Sequence, residues 1–318
     1  MTDSNTSIGT AQSASGPADL AAVALNEGHR TAQRRNRRER LFYRLCTVPA
    51  MAITALVALV PLALLVLRSL MDQRSGAFTL QYYVDTFSNA FFMRTLGTTV
   101  MMAGGVTALS IVMALPLAYL LARHTLLRNF LLPVITIPRM LPFVVIGYAM
   151  ILLLAPMTGV ANKVLMAAGI LQEPAFILFD WPGQAFAFGY TGIVVATAVL
   201  TGVLMSVDPQ LEDAAVSLGA NRLRTFFLIT VPLSTPGIVA ASALIFTSIF
   251  TSYSIPIMLN GRVPYMISVV ISANLLTLQQ QHLAYAQAVI VATLAIGVTA
   301  LAQHYLLKFG QRKGVTND

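Results

Sequence analysis

Charge is what this chain has least of. Lys+Arg number 20 and Asp+Glu 12 in 318 residues, so only 10% of the chain is charged, against about a quarter in a soluble domain. With 57% hydrophobic residues and a mean hydropathy of +0.74, an ordinary soluble domain is excluded and a membrane protein implied. Cysteine is nearly absent: Cys46 stands alone, which excludes an intrachain disulfide and any cysteine-based metal cluster. The three lysines, Lys163, Lys308 and Lys313, are not followed by Ser or Thr, so a phosphate-cradling Gly-Lys-Ser/Thr loop is excluded. The four histidines, His29, His124, His282 and His304, show no paired spacing that would build a metal site. No cofactor, metal or catalytic group is expected.

What is present is apolar length. A helix needs about 20 apolar residues to cross a bilayer, and six such regions are free, or nearly free, of charge: Leu45 to Leu67, Thr95 to Ala122, Asn129 to Asn162 broken only by Arg139, Trp181 to Val207, a fifth within Thr225 to Gly261, and a sixth within Val263 to Leu307 whose helix is expected to begin near His282. The runs are continuous and do not alternate, which favours helices over barrel strands. The expected fold is all-α, a polytopic membrane bundle of six transmembrane helices.

The basic residues give it a direction. With the amino terminus inside, Arg30, Arg34, Arg35, Arg37, Arg38, Arg40, Arg44, Arg123, Arg128, Arg222, Arg224, Lys308, Arg312 and Lys313 all fall on the cytoplasmic side. Arg68, Arg74, Arg94, Lys163 and Arg262 fall outside, and that bias predicts an N-in, C-in topology. The net charge of +8 then orients the chain against an anionic lipid surface, and no nucleic-acid partner is expected because no folded basic module accompanies the arginines. Residues 1–33, rich in Ser, Ala, Thr and Gly, read as a disordered cytoplasmic tail. Residues 34–94 hold the basic segment, the first helix and an outer loop; residues 95–307 hold five spans, and 308–318 a second cytoplasmic tail.

One connector differs from the rest. In the segment 206–237, Asp208 suits an N-cap and Pro209 the first helical position, while Glu212 and Asp213 suit the positive end of the helix dipole. Leu211, Ala214, Ala215 and Leu218 recur at helical spacing as an apolar stripe. Gly219 stands where a helix ends in the left-handed conformation, Asn221 can cap a second helix, and Pro232 with Pro236 is expected to end it. A short amphipathic helix beside a hinge can dock into another protein.

The segment DAAVSLGANRLRTFFLITVP resembles the signature of binding-protein-dependent ABC importer permeases of type I: Glu-Ala-Ala, three residues, Gly, nine residues, Ile, one residue, Leu-Pro. Asp213, Ala214, Ala215, Gly219, Ile229 and Pro232 keep that spacing, with Asp213 in place of Glu and Val231 in place of Leu. The resemblance implies that the loop, with Glu212, couples the bundle to a cytoplasmic ABC ATPase dimer. It further implies a second permease subunit, copy or paralogue, an extracytoplasmic solute-binding protein, and residence in a bacterial inner membrane. The stretch FTSYSIPIMLNG resembles permeases for polyamines such as spermidine and putrescine and their relatives for iron(III), thiamine and aminoethylphosphonate, so a polyamine-like solute is expected first.

Residues for the path itself are fewer. Arg139 lies within the third span amid Pro133, Pro138 and Pro142; facing lipid unpaired it would cost about 2.5–3.5 kcal/mol, so it is expected to face the bundle interior or water. Ser252, Tyr253 and Asn260 are the other candidates to line a path, with interhelical packing as their alternative role. A secondary transporter working without ATP would favour intramembrane carboxylates and internal repeats, and neither is found.

Overall fold

The computed structural model describes residues 47–49, 51–73, 75–176, 178–259 and 266–314, with side chains to residue 308 except at Pro138. The chain divides into two units, Met1–Leu64 and Leu65–Asp318. The described part of the first is apolar helix: α1, Thr47–Ser69, has mean hydropathy 2.7 and none of its apolar window buried inside the protein. Asn260, Gly261 and Arg262, Arg74, the arginine cluster from Arg30 to Arg44, and the amino-terminal tail lie outside the described residues.

The second unit begins with α2 (Gln81–Ser88), followed by α3 (Ala90–Arg123), α4 (Thr125–Thr136), α5 (Phe143–Leu154), α6 (Val160–Ala167) and α7 (Trp181–Met205). A connector carries α8 (Pro209–Ser217) and α9 (Arg222–Thr225), which runs through a π-helical turn at Phe226–Thr230 into α10 (Val231–Leu233). Then come α11 (Thr235–Phe250), α12 (Ser254–Met258), α13 (Ile267–Ser272) and α14 (Gln281–Gly314). No strand occurs among the described residues, and the all-α expectation holds.

At 34 residues, α3 is roughly 51 Å long, well beyond the ~30 Å hydrocarbon layer. Its side packs along α7 through small residues: Ala103, Ala114 and Ala118 on α3 and Ala196 on α7 are fully buried. The two helices meet closely at Gly192, where an added Cβ would sit 2.4 Å from Ser110 Oγ. Helices in lipid gain little from hydrophobic burial, so small residues that let backbones meet supply the packing. Around this pair α11 and α14 complete the core with Phe250, Ile245, Val291 and Ala295, and Phe92 of α3 and Phe188 of α7 are buried in the same cluster. Hydroxyls and amides stitch distant segments: Ile267 N donates to Thr99 Oγ1 at 3.0 Å, and buried Asn274 Nδ2 donates to Gln287 Oε1 at 2.8 Å.

Four described helices are long and apolar enough to cross a membrane, α1, α3, α7 and the Gln281–Lys308 part of α14, or five if one bent pair counts as a span. The bent pair is Arg222–Leu233 with Thr235–Phe250, at 68°. The sixth expected helix indeed starts at Gln281, next to His282. The third expected span differs: it is not one helix but α4 and α5, each 12 residues, joined by a 3₁₀ turn at Ile137–Met140. Pro133 is accommodated inside α4; the break falls at Pro138 in the 3₁₀ turn and at Pro142, the N-cap residue of α5, each lacking the N–H that a continuous helix would use. Pro232 also departs from expectation: it lies inside the helix Arg222–Leu233, which turns at Ser234, and Pro236 occupies the first turn of α11.

Candidate functional site

Local signals build α8 as anticipated. Asp208 is its N-cap, accepting from Gln210 N at 2.9 Å, and Pro209 is the first helical residue. At the other end Gly219 has φ +92°, a conformation that costs other residues about 1–2 kcal/mol, while Gly219 N donates to Val216 O and Ala220 N to Ala215 O, closing the helix. Asn221 Oδ1 then accepts from Arg224 N at 2.7 Å and starts the next helix.

The two acids of α8 part company. Glu212 turns toward the bundle, where Oε1 accepts from Arg123 Nη2 at 2.5 Å and from Thr230 Oγ1 at 2.8 Å, and Oε2 from Tyr119 Oη at 2.8 Å. Arg123 Nη1 also donates to Val207 O at 3.2 Å, and the guanidinium lies 5.7 Å from the Tyr119 ring centroid. The Tyr119 ring in turn meets Phe226 edge-on at 5.0 Å. One carboxylate thus joins the end of α3, the start of α8 and the π-helical turn. Arg123 and Glu212 are only 16% and 12% exposed, so the pair sits in reduced dielectric, where charge-assisted bonds are stronger. Burial alone would raise the Glu212 carboxyl, but donation from Arg123, Tyr119 and Thr230, with the charge of Arg123, outweighs it and holds the group below the ordinary glutamate value.

Asp213 points the other way and is exposed, as is Ala214, while Ala215 is half-buried. The apolar stripe is turned outward too: Leu218 is 90% exposed, and Leu211 and Val216 are about half exposed. A helix whose ionised residue faces the bundle and whose leucines face away inverts the usual amphipathic arrangement. Ile229 is half-buried and Pro232 exposed on the following helix.

The expected path residues are not brought together. Arg139 is exposed in the 3₁₀ turn and borders a cavity of about 310 Å³ with Tyr190, Thr191 and Ser248. Tyr253 borders different cavities, and the Ser252 carbonyl accepts from Ser268 Oγ. Asn260 is outside the described residues. Sequence reasoning missed Arg123, Tyr119 and Thr230 as partners of Glu212. The one available signal was an arginine closing a long apolar helix, which reads equally well as a topology charge.

Interrupted and continuous apolar helices thus form a membrane-type bundle with a loop helix pinned to it on one side and exposed on the other. It matches a solved structure of a bacterial alginate ABC transporter in complex with alginate pentasaccharide-bound periplasmic protein, with a TM-score of 0.71 at 21% identity over 84% of this chain and 94% of that one. The chain belongs to the family of binding-protein-dependent transport system inner membrane components, whose model matches residues 110–313. It is 36% identical over 173 residues to the molybdenum transport system permease protein ModB of Escherichia coli (strain K12), covering 50% of this chain and 69% of that protein. It is also 25% identical over 199 residues to the spermidine/putrescine transport system permease protein PotB of Haemophilus influenzae, covering 62% and 69% respectively.

Proposed function

We propose that this chain is the membrane-path subunit of an ATP-driven importer for a small polar solute, with α8 as the element that engages a cytoplasmic ATPase dimer. The observation that carries the reading is the pairing of Glu212 with Arg123 on one side of α8 and the exposure of Leu211 and Leu218 on the other. A helix fixed to α3 by a carboxylate and bare of apolar partners on its outer face suits transmission of a push from a docked protein into the bundle. The bias of basic residues supports placing α8 and both termini in the cytoplasm. A second permease, copy or paralogue, would close the path, and a solute-binding protein would deliver cargo from outside. In this scheme ATP binding and solute delivery each favour one of two bundle arrangements.

The solute is the finer part of the proposal. The polyamine expectation rests on FTSYSIPIMLNG, and a spermidine/putrescine permease is one relative while a molybdenum permease is another. Iron(III), thiamine and aminoethylphosphonate stand beside them as solutes of similar permeases, so the class proposed from these likenesses is a small polar solute.

Reconstitution tests the function. The chain co-expressed with an ATPase, a second permease and a binding protein encoded beside it should co-purify with the ATPase and take up solute in proteoliposomes only when ATP is inside. Uptake by this chain alone, driven by an ion gradient without ATP, would contradict it.

A further inference from the structure

The cavity beside Arg139 lies where α5, α7 and α11 meet, and it is bounded by Ile146, Tyr190, Ser248 and their neighbours. None of the described carboxylates, Asp72, Asp85, Glu173, Asp180, Asp208, Glu212 and Asp213, lines this cavity. Arg139 has no ion-pair partner among the described residues. A guanidinium cannot shed its proton, and within an apolar segment an unpaired charge demands water or a counter-ion. Around it, the Thr191 hydroxyl is already committed, donating to Phe188 O at 2.9 Å, while Tyr190 and Ser248 make no hydrogen bond among the described residues and keep their hydroxyls to offer. The 3₁₀ turn that holds Arg139 is a short interruption of helix, of the kind that bundles tolerate only beside protein or water.

We infer that this cavity is a subsite for a tetrahedral oxyanion, held by the Arg139 guanidinium with the Tyr190 and Ser248 hydroxyls as further donors. The inference rests on the permease function proposed above and specifies the charge of its solute. A planar fork of N–H groups matches two oxygens of such an anion. A polyamine would meet the same wall with like charge and no carboxylate to receive it, which reverses the expectation from FTSYSIPIMLNG. The same oxyanion chemistry is offered by a lipid phosphate, and the test separates the two sources.

The experiment uses the complete importer in proteoliposomes, with its ATPase and binding protein, and follows ATP-dependent accumulation of radiolabelled molybdate, sulfate and spermidine. Molybdate or sulfate should accumulate and spermidine should not. Arg139→Gln should lower that uptake at least about tenfold, the loss of one charge-assisted contact, while still co-purifying with the ATPase in normal amount; Arg139→Lys should fall between, keeping the charge and losing the fork. Accumulation of spermidine, or of none of the three, overturns the inference, as does Arg139→Gln uptake within twofold of the parent; phospholipid that co-purifies with the parent and is lost from that variant would then assign the arginine to lipid phosphate. A failure to assemble with the ATPase or to respond to ATP would instead remove the permease function itself.

Discussion

Arg123 Nη2 lies 2.5 Å from Glu212 Oε1, tying the last residue of the 34-residue helix α3 to the first turn of α8. The Tyr119 and Thr230 hydroxyls share the same carboxylate, so α8 is held both to the end of α3 and to the π-helical turn.

Removing either charge should cost more than removing both. Arg123→Gln or Glu212→Gln leaves a half-buried ion without its partner and should lower stability by about 1–3 kcal/mol, whereas the double variant should recover part of that loss. A double-mutant cycle on thermal unfolding of the solubilised complex should give a coupling energy of about 0.5–3 kcal/mol. Strict additivity would mean that the pair contributes nothing.

Glu212 also sets a pH dependence. Its carboxyl is lowered in the folded protein, so the stabilisation is complete above the unfolded value of about 4.3 and disappears as pH falls through the lower folded value. The stability difference between the parent and Glu212→Gln should therefore be constant from pH 8 to pH 6 and shrink only below about pH 4.3. Unfolding curves across that range would show it, and a gap that closes near neutrality would contradict the depressed pKa.

At Gly219 an added side chain meets nothing within 4 Å, yet φ is +92°. The penalty of substitution is thus backbone strain alone, about 1–2 kcal/mol for an ordinary residue and less for Asn, which tolerates the left-handed region. Co-purification with the ATPase should rank Gly219 above Asn and Asn above Val. A Val variant that binds as well as the parent would show that the hinge conformation is dispensable.

Gly192 presents the opposite case, ordinary backbone with no room. An added Cβ would lie 2.4 Å from Ser110 Oγ, so Gly192→Ala should push α3 and α7 apart and destabilise by about 1–3 kcal/mol. Ser110→Gly should restore much of it, which a thermal shift of the double variant would reveal.

The elements that could be read in the sequence were those with local causes. Asp208, Pro209, Gly219 and Asn221 act on atoms within a few residues of themselves, and the structure places each where its chemistry suggested. The start of α14 beside His282 followed from the run of glutamines, which resist burial. Glu212 stood out as a residue of the coupling loop, but its ion pair did not, because Arg123 and Tyr119 are 89 and 93 residues away and no spacing rule links them. The motif spacing itself falls on Asp213, its neighbour; adjacent helical residues point about 100° apart, and here Glu212 reaches the bundle while Asp213 is exposed. In the third span three prolines in ten residues were visible, but whether they bend a helix or divide it depends on what packs beside them, which the sequence does not contain.

Docking of the outer face of α8 on the ATPase, as proposed above, can be probed with a cysteine at Leu218, the most exposed leucine of that connector. With Cys46 replaced by Ser, Leu218→Cys in the assembled importer should form a disulfide or short bifunctional cross-link to a cysteine on the ATPase surface, with a yield that changes when ATP is added. A cross-link to the extracytoplasmic binding protein, or none to the ATPase while assembly and transport persist, would contradict docking through this face.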